Sequence, residues 1–280
     1  MTTSDSQVLS DSPIEILSAL KDGRSLAGAD LQNINLSQAD LYKIDLSFTN
    51  LSHANLSNIT LTGASLSGAR LSQANLSGAD LRGADLSKAD LSGANLQGAY
   101  LNRADLQKAN LNGANLDGAK LQLARYDSET IWPEDYRYKT SGAVGPGANL
   151  NGAFLNTANL RGADLQKASF LGAYLSGADL TGANLQGASL SGANLQRAFL
   201  TGAFLRHTRF NGAELQNVDF RAADLTGAEL NNLQSIAGAD FGDVQGLSET
   251  TRAMLCGRPS SELDTWNAFT RRTTRESLNG

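Results

Sequence analysis

The chain is poor in the residues that carry most chemistry. Its one cysteine, Cys256, has no partner for an intramolecular disulfide and is compatible with a reducing compartment. The two histidines, His53 and His207, are 154 positions apart in sequence, which argues against a shared metal site or a histidine-based nucleophilic triad. Apolar runs are short, so nothing approaches the roughly 20 residues that a membrane span needs. The start, MTTSDSQVLSDSP, has neither a basic opening nor an apolar stretch, and reads as carrying no signal peptide; a cytoplasmic location is expected. No strand, glycine-rich turn and helix occur together as a phosphate loop requires. No basic stripe is interleaved with aromatics, so direct nucleic-acid binding is not expected. The carboxylates recur on solvated positions without the burial that tunes a catalytic acid, and Cys256, on an amphipathic stretch, reads as buried rather than nucleophilic. No catalytic, cofactor-binding or metal-ligating residue is assigned, and the chain reads as non-enzymatic.

What is abundant is one rhythm. ANLSGADLRGADLSKADLSGANL, residues 74 to 96, places Leu at every fifth position, usually with Ala two before it. Five fits neither the 3.6-residue period of a helix nor the two-residue period of a strand. A chain that turns every five residues does satisfy it. Ala and Leu then point inward from a short extended segment, the residue between them points out, and the other two make a corner rich in Gly, Ser, Asn and Gln. Turning repeatedly in one sense winds the chain into stacked coils around a narrow core.

The register is long. Leu occupies all 20 positions from Leu26 to Leu121, and 15 of these have Ala two before; Arg24, Ile34, Ile44, Thr49 and Ile59 are the exceptions. A second array has 17 centres from Leu150 to Leu230, with Phe170, Phe210 and Phe220 replacing Leu. On these residues the chain resembles the pentapeptide-repeat family, consensus A(D/N)LXX, of the type abundant in cyanobacteria. The resemblance runs from residue 24 to about 246. It implies an all-β solenoid, a right-handed quadrilateral β-helix with four pentapeptides per coil.

The predicted organisation has five parts. Residues 1–23 are a disordered start and a capping helix, with Ser12 as N-cap, Pro13 at the first helical position, and Ile14, Leu17 and Leu20 on one side. Residues 24–126 are the first array, 127–147 a loop excursion, 148–246 the second array, and 247–280 a helical cap. In the last part Ser248 is a candidate N-cap for ETTRAMLC, stopped by Gly257. A second helix starts at Ser260 or Ser261, with Leu263, Trp266 and Phe269 on one side and Arg271, Arg272 and Arg275 near its end.

Residues 20 apart should stack. Asn35, Asn55, Asn75, Asn95 and Asn115 would then form an amide ladder. Asp45, Asp85 and Asp105 align elsewhere, but Lys88 and Lys108 share that face, which makes it a solvated mixed surface.

The rhythm fails at YDSETIWPEDYRYKTSGAVGPG, residues 126 to 147, which holds Tyr126, Trp132, Tyr136 and Tyr138. Because Leu150 returns out of register, this segment is expected to leave the barrel as a loop. Phe154 and Tyr174 should face outward one coil apart, with Phe199 and Phe204 outward on adjacent faces of a later coil. The expectation is that the excursion docks its aromatics over Phe154 and Tyr174. Trp132, Tyr136, Tyr138, Phe154, Tyr174, Phe199 and Phe204 are therefore the candidate partner-binding residues.

The favoured reading is an interaction or regulatory scaffold with an unidentified protein partner, no direct nucleic acid, no membrane and no cofactor. It would be a monomer or a homodimer paired through C-terminal ends, as in some members of the family. The alternative is a DNA-mimic modulator of DNA gyrase or another topoisomerase, which other members of the family are. Mimicry needs a continuous negative surface of about one charge per 1.7 Å. The first array carries eight acids and nine bases and the second eight and six, so both are near neutral.

Overall fold

The computed structural model describes residues 25–279. The capping helix expected between Ser12 and Gly23 lies outside the described residues. The chain divides into two compact units, one ending at Ala143 and the other beginning at Val144. This boundary falls inside the segment expected to loop out.

Within each unit the coil is 20 residues long. Parallel bridges join Asn35 to Asn55 and Asn55 to Asn75, and likewise Asn149 to Ser169 and Ser169 to Ser189. Each coil thus has four five-residue faces. Leu and Ala fill the interior: Leu66, Ala69, Leu71 and Ala79 have no exposed surface, nor do Leu175, Ala178 and Leu180. A buried leucine contributes roughly 1.5 to 3 kcal/mol, and the contribution recurs at every face.

Nearly every corner among the described residues is a β-turn closed from the Leu carbonyl, as when the Ala69 N–H donates to the Leu66 carbonyl at 3.0 Å. The second corner residue is left-handed, which suits glycine, as at Gly68 with φ 66°. Lys43 and His53 accept the same conformation at φ 55° and 59°, which places His53 at a corner; His207, at φ 55°, occupies another. A β-branched residue is least suited to it, yet Thr157 stands there at φ 55°.

The outward Asp or Asn of the repeat has a backbone reason. The N–H of the first corner residue points along the turn rather than to a neighbouring coil, and the side chain two residues earlier accepts it. Ser57 donates to Asn55 Oδ1 at 3.2 Å, and Ser87 to Asp85 Oδ1 at 2.9 Å. A buried or half-buried N–H without an acceptor would be costly, so each A(D/N)L carries its own cap.

The segment 127–147 does not simply leave the barrel. Leu111 N–H donates to the Ile131 carbonyl, Ile131 N–H to the Ala109 carbonyl, and Leu123 N–H to the Gly142 carbonyl. Residues 131 and 142 therefore stay on the ladder of the first unit. One extra residue is absorbed by a turn at Asp127–Thr130, because Asn110 pairs with Ile131, 21 positions on. Asp127 Oδ1 accepts the N–H groups of Lys108, Glu129 and Thr130, and the Thr130 hydroxyl donates to the Leu106 carbonyl at 2.9 Å. Side-chain acceptors built into that turn let the segment rejoin the register that its length disrupts. Between these two points the chain makes a short 3-10 helix, Tyr138–Thr140.

The second unit ends in a shifted repeat and a compact tail. Asp219 pairs with Asp240, again 21 apart, and Phe241 is buried on Phe220 with ring centroids 5.2 Å apart. Helix α1 spans Glu249–Cys256 with Ser248 as N-cap, its side chain accepting from Thr251 N, and Gly257 as C-cap. These bounds are the ones that ETTRAMLC predicts.

The second predicted helix is not continuous. Instead α2 (Ser260–Leu263) stops after one turn, strands β1 (Trp266–Asn267) and β2 (Arg272–Thr273) form an antiparallel hairpin, and α3 (Thr274–Asn279) follows. The cause is Asn267. Its buried amide donates to the Gly238 carbonyl at 2.7 Å and its Oδ1 accepts from Phe269 N, which turns the chain where the apolar pattern suggested a helix. Arg271 and Arg272 consequently lie on the hairpin rather than at a helix end. Cys256 is partly exposed, not buried, because α1 buries Leu255 instead.

Candidate interaction surface

The candidate residues separate into three groups. In the first unit, Tyr126 takes a core slot that Leu would fill and is buried. Trp132 and Tyr138 meet it edge-on, at 5.5 and 5.4 Å between centroids, and stack on each other at 5.1 Å. Tyr136 stacks on Trp132 at 5.8 Å, and burial holds its phenol above its ordinary pKa. Such ring pairs contribute about 0.5 to 1.5 kcal/mol each beyond burial. The aromatics of the segment are thus consumed by Tyr126, closing the coil that the irregular segment forms.

Phe154 and Tyr174 form the second group. They occupy successive rungs of one face, as expected, and their rings stack at 4.9 Å with an interplanar angle of 5°. Phe154 is 80% exposed within this chain, and the aromatics expected to dock on the pair pack on Tyr126 in their own unit. An aromatic rung cannot accept the corner N–H, and the structure shows the substitute: Ser176 N donates to Asn156 Oδ1, supplied from the preceding coil, at 3.1 Å. At the neighbouring face, where Ser169 is the rung, Asn151 Oδ1 accepts Leu171 N at 2.9 Å. Sequence reasoning does not single out these asparagines, although each occupies the corner position 20 residues before the N–H that it serves.

The third group lies at the far coils of the second unit. Phe204 is outward and 55% exposed, on a rung between Asn184 and Asp224, beside a shallow depression lined also by Gln186, Arg206 and Gln245. Phe199, on the adjacent face, is half-buried because Phe269 of the hairpin meets it edge-on at 5.8 Å.

Charge is arranged in layers here. Asp219 is buried and held by Arg221, with Nη2 to Oδ2 at 2.7 Å, and by the Thr201 hydroxyl at 3.0 Å. Burial pushes its carboxyl up, but the bonds from Arg221, Thr201 and the backbone outweigh this and leave it below the ordinary carboxylate range. Asp224 is likewise lowered, first by the Thr226 hydroxyl and also by Arg206, which it meets at 2.5 Å. In both pairs the carboxylate is inside and the guanidinium outside.

In the first unit the expected amide ladder is present. Asn55, Asn75, Asn95 and Asn115 each donate to the asparagine 20 residues earlier, at 3.1, 3.4, 3.2 and 3.4 Å. Lys108 pairs with Glu129 at 2.7 Å rather than with Asp105. Among the described residues no group of three or more His, Cys, Asp or Glu could hold a metal ion, and no helix is long and apolar enough to cross a membrane.

Comparison with known proteins agrees with this architecture. The family model described as pentapeptide repeats matches residues 25–122 and 147–234 in overlapping segments. The chain belongs to the pentapeptide-repeat family, whose proteins fold as right-handed β-helices. HetL, a pentapeptide-repeat protein involved in heterocyst differentiation regulation in the cyanobacterium Nostoc sp. strain PCC 7120, is 35% identical; the match covers 83% of this chain and 96% of HetL, with a TM-score of 0.34. The pentapeptide-repeat protein alr5209 from Nostoc PCC 7120 is 38% identical over 48% of this chain and 96% of its own, with a TM-score of 0.35. QnrB1, a plasmid-mediated fluoroquinolone resistance protein, is 21% identical over 79% and 90%, with a TM-score of 0.31. No curated protein matches.

Proposed function

We propose that the protein is a non-enzymatic interaction or regulatory scaffold, cytoplasmic, whose partner is a protein. The observation that supports this most directly is the placement of Phe154 and Phe204, both largely exposed, on rungs where the repeat calls for Asp or Asn. Those rungs have given up the carboxamide or carboxylate that caps the corner, and for Tyr174 the cap has been rebuilt from Asn156. A rebuilt cap makes sense where the aromatic is retained for a use other than folding. Aromatic residues are enriched at the centres of protein interfaces because they bury much area at small entropic cost.

The enzyme reading has little support, since Leu and Ala fill the coil interior. The gyrase-directed reading is also weaker: on four rungs the acid is neutralised by arginine, as in Asp80–Arg82, Asp179–Arg161, Asp219–Arg221 and Asp224–Arg206. In this proposal the tail from Ser248 onward closes the last coil. Arg258 donates to the Leu233 and Gln234 carbonyls, Glu262 accepts from Ile236 N, and Ser277 accepts from Phe241 N.

The test is affinity capture from the native host with the wild type and with a variant carrying Phe154→Asn, Tyr174→Asn and Phe204→Asp, residues that the repeat itself uses. The expected result is loss of specific partners at unchanged thermal stability. An identical captured set would remove the reading that these rungs bind.

A further inference from the structure

We infer that Arg258, Glu262 and Glu214 form a proton-sensitive latch, which holds the C-terminal tail on the last coil more tightly in mild acid than at neutral pH. The inference goes beyond the scaffold reading and does not depend on the aromatic rungs.

The latch copies a rung. Asn194 shows the regular pattern on this face: the Ala193 carbonyl before it accepts from Glu214 N at 3.0 Å, and Leu195 N after it donates to the Glu214 carbonyl at 2.9 Å. The last rung of the face is Ser235, paired with Glu214, and the groups that flank it meet side chains instead. Arg258 Nη2 donates to the Gln234 carbonyl at 3.1 Å, and Glu262 Oε2 accepts from Ile236 N at 2.8 Å. Arg258 also donates two bonds of 2.9 Å to Glu262, four positions on, and one of 3.2 Å to the Leu233 carbonyl. A guanidinium and a carboxylate thus stand in for the N–H and C=O of a further coil, with charge-assisted bonds. Parting them would leave the Gln234 carbonyl and the Ile236 N–H as an open ladder edge.

Proton sensitivity arises because a second carboxylate faces the same guanidinium. Glu214 lies on the rung before Ser235, and Glu262 and Arg258 are the charged groups that act on it. Its rung neighbours Asn194 and Ser235 are neutral, and Glu229 on the adjacent face is engaged by Asn211 Nδ2 at 2.9 Å. Arg258 is taken up by Glu262 and two carbonyls, and Glu214 Oε1 is buried without a hydrogen-bond partner. Burial holds the Glu214 carboxyl above its ordinary value, and Glu262 adds to the rise. Burial pushes Glu262 up as well, but the bonds from Arg258 and Ile236 N outweigh it and leave Glu262 below the ordinary range. In mild acid the latch therefore holds one carboxylate and one guanidinium. As pH rises through the folded Glu214 value a second negative charge appears beside Glu262, and the contribution of neutral Glu214 to docking is lost.

Amide hydrogen exchange of the full-length protein, followed by NMR at Ile236 N between pH 4.5 and 7.5, tests this. Comparing wild type with Glu214→Gln at each pH cancels the intrinsic effect of pH on exchange. The wild type should exchange at least threefold faster than Glu214→Gln at pH 7.5, with the ratio falling toward one at pH 4.5. In the wild type at pH 7.5 Ile236 should be at least tenfold less protected than Leu185 in the middle of the array, because the latch opens without unfolding the coils. Glu262→Gln should remove the pH dependence too, while leaving Ile236 less protected than in the wild type at pH 4.5. A ratio that does not change with pH, slower exchange in the wild type than in Glu214→Gln at pH 7.5, or equal protection of Ile236 and Leu185 would each overturn the proposal.

Discussion

The two units share a repeat and use its outward position differently. In the first, the Asn35 to Asn115 face is an amide ladder in which the Oδ1 of Asn35, Asn55, Asn75 and Asn95 accepts from the next coil and also caps its own corner. Its polar groups are satisfied internally, and little is left for a partner. In the second unit four outward positions on three faces hold Phe154, Tyr174, Phe199 and Phe204, where the first unit has Tyr100, and for Tyr174 the cap is rebuilt from a corner asparagine. A rung that satisfies the fold is quiet; a rung that the fold must work around is a candidate for recognition.

The cores differ too, and the largest expected effect concerns them. The first unit is filled mainly by Leu and Ala, with Ile34, Thr49, Ile59 and Tyr126 as exceptions, whereas Phe210, Phe220 and Phe241 form a ring cluster in the second, with Phe220 in contact with both others. Phe220→Ala should cost about 3 to 5 kcal/mol, against about 2 to 5 for Leu86→Ala, because the larger side chain leaves the larger cavity. Chemical denaturation with a unit-specific tryptophan signal, Trp132 for the first and Trp266 for the second, would separate the two losses. Equal loss of both signals in each variant would show that the units unfold together.

Breaking the ladder is the next largest effect. Asn75→Ala removes a donor to Asn55, an acceptor for Asn95 and the cap on Ser77, and should cost about 1 to 3 kcal/mol. A comparable substitution at Phe154, which caps nothing and loses only its ring pair with Tyr174, should cost less, about 0.5 to 1.5 kcal/mol. Equal costs would erase the distinction between quiet and recognising rungs.

The sign of the pH dependence also differs between acids of the second unit. Glu214 is raised by burial, only partly offset by the Gln216 N–H, with Glu262 adding to the rise. A carboxyl with a raised folded value favours the folded state at low pH, and that contribution is lost as pH rises through the folded value. Asp219 is lowered, so its contribution is present above the unfolded value and is lost as pH falls through the folded one. Glu214→Gln should therefore raise the melting temperature at pH 7 and not at pH 3, whereas Asp219→Asn should lower it at pH 7. The smallest effect concerns one corner: Thr157→Gly relieves a β-branched residue held at positive φ and should stabilise by about 1 kcal/mol in thermal unfolding.

Much of this was legible in the sequence because the repeat couples pattern to geometry without intermediaries. Leu every fifth residue gives the face, and the family resemblance supplies the four faces that make a 20-residue coil, so the asparagine ladder and the outward Phe and Tyr positions follow. Ser248 and Gly257 bound α1 through chemistry confined to the helix itself. What escaped depends on partners distant in sequence. The segment after Tyr126 looked too irregular for a coil, since nothing local reveals that Thr130 reaches the Leu106 carbonyl. The hairpin replaced a helix because Asn267 bonds Gly238, 29 positions away. The openness of Phe154 could not be read either, as the competing demand of Tyr126 for the segment's aromatics appears only when the rings are placed.

The central claim is that recognition resides on the aromatic rungs of the second unit and not on the ladder of the first. Quantitative mass spectrometry of partners captured from the native host tests it directly, comparing Phe154→Asn/Tyr174→Asn/Phe204→Asp with Asn35→Ser/Asn55→Ser in the other unit. The account expects the first variant to lose its specific partners and the second to keep them. Partners lost with the asparagine variant and kept with the aromatic one would contradict it.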